Sequence, residues 1–107
     1  RLGGHLVSGH VDGVGQVVAF NDIGESWRLV VRAPHQLAKF IAVKGSITIN
    51  GVSLTVNHVT GSEFEVNLIP HTLDVTTLNE LRTGAKVNLE IDLIARYVER
   101  MMQKEVI

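Results

Sequence analysis

The chain has 107 residues, 45% of them hydrophobic, and 10 Lys+Arg against 11 Asp+Glu give a formal net charge of −1. That describes one domain able to bury a core with little margin, and the near-zero charge gives no general electrostatic basis for binding nucleic acid or an anionic membrane. The absence of cysteine excludes disulfides, thiolate zinc sites and cysteine nucleophiles; no apolar run approaches a membrane span and no secretory signal is visible, so a soluble, cytoplasmic domain is expected.

The opening Arg1-Leu2-Gly3-Gly4-His5 has no initiator Met and runs straight into patterned sequence. That is expected of a piece of a longer chain, cut where a linker enters a domain. His5 to Phe20 is rich in Gly and Val and reads as a long first strand. Gly9, Gly13 and Gly15 within it suggest bulges or close backbone approach. Asn21 to Gly24 is turn chemistry. Ser26 to Arg32 alternates again, with Trp27, Leu29 and Val31 on one face and Arg28, Val30 and Arg32 on the other. Pro34 then opens a short helix whose Leu37, Phe40 and Ile41 stand at helical spacing.

Lys44 to Val56 carries the strongest local signal, two alternating runs around Asn50-Gly51. A two-residue type I′ turn needs positive φ at both central positions, which Asn and Gly accept. The implied register sets Ile49 opposite Val52, Thr48 opposite Ser53, Ile47 opposite Leu54 and Ser46 opposite Thr55. One face is then Ile47, Ile49, Val52, Leu54 and Val56; the other is Lys44, Ser46, Thr48, Ser53, Thr55 and Asn57.

Asn57 to Gly61 reads as the next turn, and Glu63 to Ile69 as a strand with Phe64, Val66 and Leu68 inward, ended by Pro70. Asp74 or Thr76 can cap a helical turn through Leu78 and Leu81 that Gly84 closes. Ala85 to Ile91 is the last strand, and Asp92 caps a final helix. On that helix Leu93, Ile94, Tyr97, Val98, Met101 and Met102 form an apolar stripe, opposite Arg96, Glu99, Arg100, Gln103 and Lys104. The expected fold is all-β, a six-stranded antiparallel Greek-key barrel over residues 1–92 with short helical insertions, followed by a C-terminal helix over 93–107.

Few residues suggest chemistry on their own. The five histidines, His5, His10, His35, His58 and His71, show no metal-ligand spacing, so no metal is expected. His10 has the best claim to a role, because glycines around it let a ligand approach the backbone. There is no Gly-x-Ser-x-Gly elbow, and Gly9-x-x-x-Gly13-x-Gly15 lacks the spacing of a dinucleotide fingerprint. Five aromatics, most on inferred core faces, are too few to stack an oligonucleotide. Ser53 and Thr55 admit two readings. They are solvent-facing strand residues on an edge hairpin, or a hydrogen-bonding wall for a planar heterocycle to which Asn67, His71 and Thr72 add polar groups.

Four segments together resemble one family. They are Gly3-Gly4-His5-Leu6-Val7-Ser8-Gly9-His10-Val11-Asp12, Lys44 to Val56, Leu68-Ile69-Pro70-His71-Thr72-Leu73 with Thr76-Thr77-Leu78, and Val87-Asn88-Leu89-Glu90-Ile91-Asp92 followed by Tyr97-Val98-Glu99-Arg100. In this order and spacing they resemble riboflavin synthase of the α-chain type across essentially the whole chain. That family has two similar lumazine-binding barrels and a C-terminal helix, and this chain resembles the second barrel with most of the helix. The resemblance implies the dismutation of two molecules of 6,7-dimethyl-8-ribityllumazine to riboflavin and 5-amino-6-ribitylamino-uracil, with no metal or organic cofactor.

By resemblance, Ser53 and Thr55 face the ligand, and His10 lies near the reacting ring with Gly9 and Val11 offering backbone contacts. Ile69, His71 and Thr72 line the pteridine and ribityl pocket, and Lys44 and Asp92 are polar positions at the barrel mouth. His5 matches a second family histidine, catalytic or structural. The catalytic set so implied is Ser53, His10, Thr55 and His5. At the hairpin turn, where the resemblance would admit an acid, this chain has Asn50. The resemblance further implies a homotrimer whose site forms between this barrel and the N-terminal barrel of a neighbouring subunit, so that a lone second barrel binds one lumazine or riboflavin and turns over poorly. The terminal helix is then a lid or an oligomer seam, with a dimer or trimer possible for this fragment. The alternative is a non-catalytic carrier similar to the lumazine-binding antenna proteins.

Overall fold

The computed structural model describes the backbone of residues 11–106 and the side chains of residues 11–102. His5, Gly9 and His10 therefore lie outside the described residues. Six strands form a closed antiparallel barrel: β1 (Gly13–Asp22), β2 (Trp27–Arg32), β3 (Ser46–Ile49), β4 (Val52–Thr60), β5 (Glu63–Leu68) and β6 (Lys86–Ile91), in the cyclic order β1-β2-β5-β4-β3-β6. Strands β3, β4 and β5 follow one another as hairpins, β6 returns to lie beside β3, and β2 lies beside β5. These are Greek-key connections, as expected. A 3-10 helix (His35–Phe40) joins β2 to β3. Helix α1 (Pro70–Val75) and a second 3-10 helix (Thr77–Glu80) join β5 to β6, and α2 (Leu93–Val106) ends the chain.

The hairpin adopts the register its sequence implies, from Ser46 opposite Thr55 to Ile49 opposite Val52. Its turn has φ of 49° at Asn50 and 85° at Gly51, the paired positive values of a type I′ turn. The Asn50 side chain adds a clamp across the sheet. Its Oδ1 accepts the Asn88 N–H at 2.8 Å, while its own N–H donates to the Asn88 carbonyl at 2.9 Å. Because β3 also pairs with β6, and β4 with β5, this is no edge hairpin: every strand has two neighbours and the barrel has no free edge.

Alternate residues of all six strands point inward. Val17, Leu29, Val31, Ile47, Ile49, Val56, Phe64, Val66, Leu68, Val87, Leu89 and Ile91 share one buried core. The short helices add Leu37, Leu73, Leu78 and Leu81 to it. Val52 and Leu54 pack against this core while partly exposed. The barrel closes tightly where β1 crosses it. A Cβ on Gly15 would lie 2.8 Å from Leu89 Cδ1 and 2.9 Å from Val31 Cγ1, so the close approach expected of the Gly-rich strand is real at this position.

Several expectations need correction. Among the described residues the first strand runs from Gly13 to two residues past Phe20, and its register shifts between Val17 and Ala19. The extra residue there bends β1 around the barrel. The segment 57–61 is not a turn. β4 continues to Thr60, with a second register shift between Val56 and His58, and the chain reverses at Gly61, where φ is 61°. The polar Asn57 and His58 mimic turn composition, but both are strand residues facing outward. Pro70 ends β5 and also opens α1 at the first helical position, a helix the periodicity had not indicated. Of the two expected caps, Asp74 or Thr76, the structure uses Thr76, as the expectation allowed: its Oγ1 accepts the Leu78 N–H at 3.2 Å and donates to the Thr72 carbonyl at 2.7 Å. Val30, assigned to the polar side of β2, is buried although it stands outside the core. It is flanked on β2 by Arg28 and Arg32, which pair with Glu65 and Glu63 at 3.0 Å each, and arginine stems of this kind shield apolar surface.

Candidate ligand-binding face

Ser53 and Thr55 alternate on β4 with Val52, Leu54 and Val56, so the inward pull of those three fixes both polar side chains on the outer face, where they are exposed. On one side stands β3, with Thr48 beside Ser53 and Ser46 beside Thr55. On the other stands β5, aligned through the Val56–Val66 pair. The strands are antiparallel, so the end of β5 lies beside the start of β4. Exposed Asn67 follows Val66, and the chain passes through Leu68 directly into Ile69 and α1.

Helix α1 is short and is held by specific contacts. Leu73 is buried in the core and its N–H donates to the Ile69 carbonyl at 3.3 Å. The Thr76 hydroxyl donates to the carbonyl of Thr72. This leaves Ile69 56% exposed, His71 exposed and Thr72 half-buried. Ser53 and Thr55 at the start of β4, and Ile69, His71 and Thr72 just past the end of β5, thus lie toward the same end of two neighbouring strands, although up to nineteen positions separate them in the chain.

Val11, Lys44 and Asp92 form a second group. Lys44, at φ 72°, precedes β3, and its N–H donates to the Val56 carbonyl at 2.7 Å, one residue beyond Thr55. Asp92 lies one residue beyond the Ile47–Ile91 pair, and its Oδ1 accepts the Ile94 N–H at 3.0 Å, capping α2 as expected. Val11 is 52% exposed beside the same end of β6, because the next residue, Asp12, donates its N–H to the Leu89 carbonyl at 2.8 Å and accepts the Ile91 N–H on Oδ2 at 2.7 Å. β3 lies between β6 and β4, so its outward Ser46 links the Asp92 end of this group to Thr55. The sequence alone puts Ser46 on the polar face of the hairpin and gives it no role. It also leaves out Arg28, which stands opposite Asn67 on β2 and whose Nε donates to Glu65 Oε1 at 3.0 Å. Alternation alone places Arg28 outward; that β2 neighbours β5 is a non-local fact of the barrel.

Ser53, Thr55 and Ile69 stand exposed on this face. Two concavities among the described residues lie elsewhere. One, of about 290 Å³, is lined by Lys39, Phe40, Arg96, Tyr97, Glu99 and Arg100. The other, of about 440 Å³, is lined by Phe20, Trp27, Asn79, Leu81, Arg82 and Thr83. Neither includes Ser53, Thr55 or Ile69. A planar ring laid on the hairpin would be held from one side and need a second surface to bury its other face. Among the described residues no three His, Asp or Glu side chains converge as a metal site. No helix among them is long and apolar enough to cross a membrane.

The family model for a lumazine binding domain matches residues 8–92. The chain belongs to the lumazine-binding domain family. A riboflavin synthase of Brucella abortus is 54% identical to this lumazine-binding domain over 103 residues, covering 96% of the chain and 51% of that protein. A riboflavin synthase of Photobacterium phosphoreum is 48% identical over 102 residues, covering 95% and 47% respectively. The domain therefore spans about half the length of these relatives. Among solved structures, LumP complexed with riboflavin superposes with a TM-score of 0.77 at 25% identity, covering 86% of this chain and 50% of that one. LumP complexed with 6,7-dimethyl-8-(1'-D-ribityl) lumazine gives 0.73 at 26% identity, covering 81% and 49%. The barrel reached from residue patterning is thus the barrel of lumazine- and flavin-bound neighbours.

Proposed function

We propose that this chain is the C-terminal lumazine-binding barrel of a cytoplasmic riboflavin synthase, and that it supplies half of a site for the dismutation of 6,7-dimethyl-8-ribityllumazine. The observation that carries this is the 54% identity to a riboflavin synthase along 96% of the chain. The exposed Ser53 and Thr55, toward the same end of the barrel as Ile69, His71 and Thr72, support it. One lumazine lies with its ring on that face and its ribityl chain toward His71 and Thr72. Val11, Lys44 and Asp92 bound the opposite side. The second ring stacks from the N-terminal barrel of a neighbouring subunit in a homotrimer.

In the reaction two carbon–carbon bonds form between the methyl carbons of one lumazine and the ring carbons of the other. The donor's bonds from those ring carbons to nitrogen break, and the protons lost by the methyl groups end on the released diaminouracil. All atoms of the two substrates appear in the products, so no oxidant or cofactor is needed. The protein's work is to hold two rings in register and to assist removal of a C7-methyl proton. Ser53 and Thr55 orient the ring by hydrogen bonds, and His10 and His5 are the candidate proton-handling groups.

A carrier without chemistry is the second reading, favoured by the likeness to LumP bound to the same class of ligand. A fluorescence titration with riboflavin and with the lumazine tests the shared premise. One saturable site per chain is expected, and no change in fluorescence would overturn both readings. Ser53→Ala in the two-barrel protein then separates them. The enzyme reading expects turnover to fall at least tenfold, and unchanged turnover would remove Ser53 from the catalytic set. Riboflavin formation by the isolated 107-residue chain at the rate of a two-barrel enzyme would refute the half-site.

A further inference from the structure

Asp12 is placed where three pieces of the molecule meet. It follows Val11 directly. Its Oδ2 accepts the N–H of Ile91, the residue before Asp92, at 2.7 Å. Its Oδ1 pairs with Nη2 of Arg96, one helical turn into α2. The carboxylate is largely enclosed, its side chain 16% exposed, so the pair is better shielded than those on the open surface. Arg96 is held in turn: its guanidinium lies 5.3 Å from the Phe40 ring centroid, and its N–H donates to the Asp92 carbonyl at 3.3 Å.

What attaches α2 to the barrel is therefore unusual. Its apolar stripe faces away, with Ile94 68% and Met101 61% exposed. Ala95 is the residue of α2 that packs on the core. Other contacts that hold α2 include Arg96 to Asp12, Arg96 to Phe40 and the 3.9 Å Lys39–Glu99 pair. Asp12 is thus one polar anchor of the docked helix, and the same carboxylate ties Val11 to the end of β6 that presents Asp92.

We propose that Asp12 is a positioning residue for ligand binding, which through Arg96 couples the docking of α2 to the placement of Val11 and Asp92 at the ligand-binding face. This rests on the functional reading above, in which those two residues bound the ligand. Coupling of this kind is reciprocal: whatever stabilises the docked helix, including association through its exposed stripe, tightens ligand binding, and bound ligand holds the helix down.

The test is riboflavin affinity of the 107-residue chain, read by fluorescence well below the melting temperature of each variant. Asp12→Asn keeps an acceptor for the Ile91 N–H and loses the charge that holds Arg96; a fivefold or larger loss of affinity is expected. Arg96→Ala, which touches no ligand, is expected to lose a similar factor, and the double variant little more than either alone. Arg96→Lys should recover part of it. Gly61→Ala is the stability control. It strains a turn at φ 61° with open space around the new Cβ, at the end of β4 and β5 away from Ile69, and should lower the melting temperature without changing affinity. Riboflavin affinities of Asp12→Asn and Arg96→Ala within twofold of the parent chain would overturn the proposal and leave Asp12 a purely structural residue. Failure of the parent chain itself to bind riboflavin or the lumazine would instead refute the functional reading.

Discussion

The β3–β4 hairpin and helix α2 carry the same kind of signal, an apolar row backed by a polar row, and they use it in opposite ways. In the hairpin Ile47, Ile49 and Val56 point into the core, and Ser53 and Thr55 are left outside. In α2 the polar side meets the barrel through Arg96 and Glu99, and Leu93, Ile94, Tyr97, Val98, Met101 and Met102 are left outside. A strand in a closed barrel has no choice of face, because both neighbours and the pleat fix it. A terminal helix has a choice, and this one is set by a few polar contacts. Amphipathicity states that a face is to be covered; only the surrounding topology states by what. The outward faces of both elements are thus the ones available to a ligand or to another subunit.

The sharpest way to break that comparison is to truncate the inward row. Ile49 is fully buried, and Ile49→Ala removes three methyl-sized groups from a core that cannot collapse freely around a closed barrel. A loss of about 3 kcal/mol is expected, measured by denaturant unfolding. A loss below about 1 kcal/mol would mean that the barrel interior is loosely packed and that its faces are less strictly assigned than the register implies.

Legibility followed the same division. The hairpin register was readable because Asn50-Gly51 fixes the turn and alternation fixes every pair after it. The inward rows of β2 and β5 were readable for the same reason, with Val30 the exception, since its burial comes from arginine stems beside it. Helix α1 was not readable: six residues give too short a window for helical periodicity, and Pro70 signals a strand's end as strongly as a helix's start. The two register shifts were not readable either, because a bulge is set by how the barrel must curve. At the candidate site, Ser53 and Thr55 could be placed outward from alternation. That Ile69 to Thr72 lie toward the same end of the barrel, and that Ser46 lies between Thr55 and the Asp92 end, depends on which strands are neighbours. The contact of α2 with the body of the chain is likewise non-local: Asp12 and its partner Arg96 are 84 residues apart.

A smaller effect is expected where the hairpin is tied to the rest of the barrel. Asn50→Ala strains the turn, because Ala resists φ near 49°, and removes the acceptor of the Asn88 N–H. The two costs together come to about 1–2 kcal/mol. Asn50→Gly relieves the strain and keeps the loss of the acceptor, so it should recover roughly half. Equal stability of the two variants would mean that strain at φ 49° contributes nothing and that the loss comes from the bond to Asn88 alone.

The smallest effect on folding is expected on α2, and there the comparison is most exposed to failure. Tyr97 and Met101 are 60% and 61% exposed, so Tyr97→Ser and Met101→Ser remove side chains that already face water. Each should change the stability of the isolated chain by no more than about 0.5 kcal/mol. What should change is association. Six apolar side chains in one stripe are costly to leave in water, and a contiguous patch of that kind marks a surface that another copy or subunit covers. Sedimentation of the parent chain should therefore show concentration-dependent self-association that the double variant loses, while riboflavin binding by its monomer persists. If instead either single variant cost as much as Ile49→Ala at a concentration where the chain is monomeric, the stripe would be buried within one molecule. Helix α2 would then be a lid with its apolar side down, and the contrast with the hairpin would disappear.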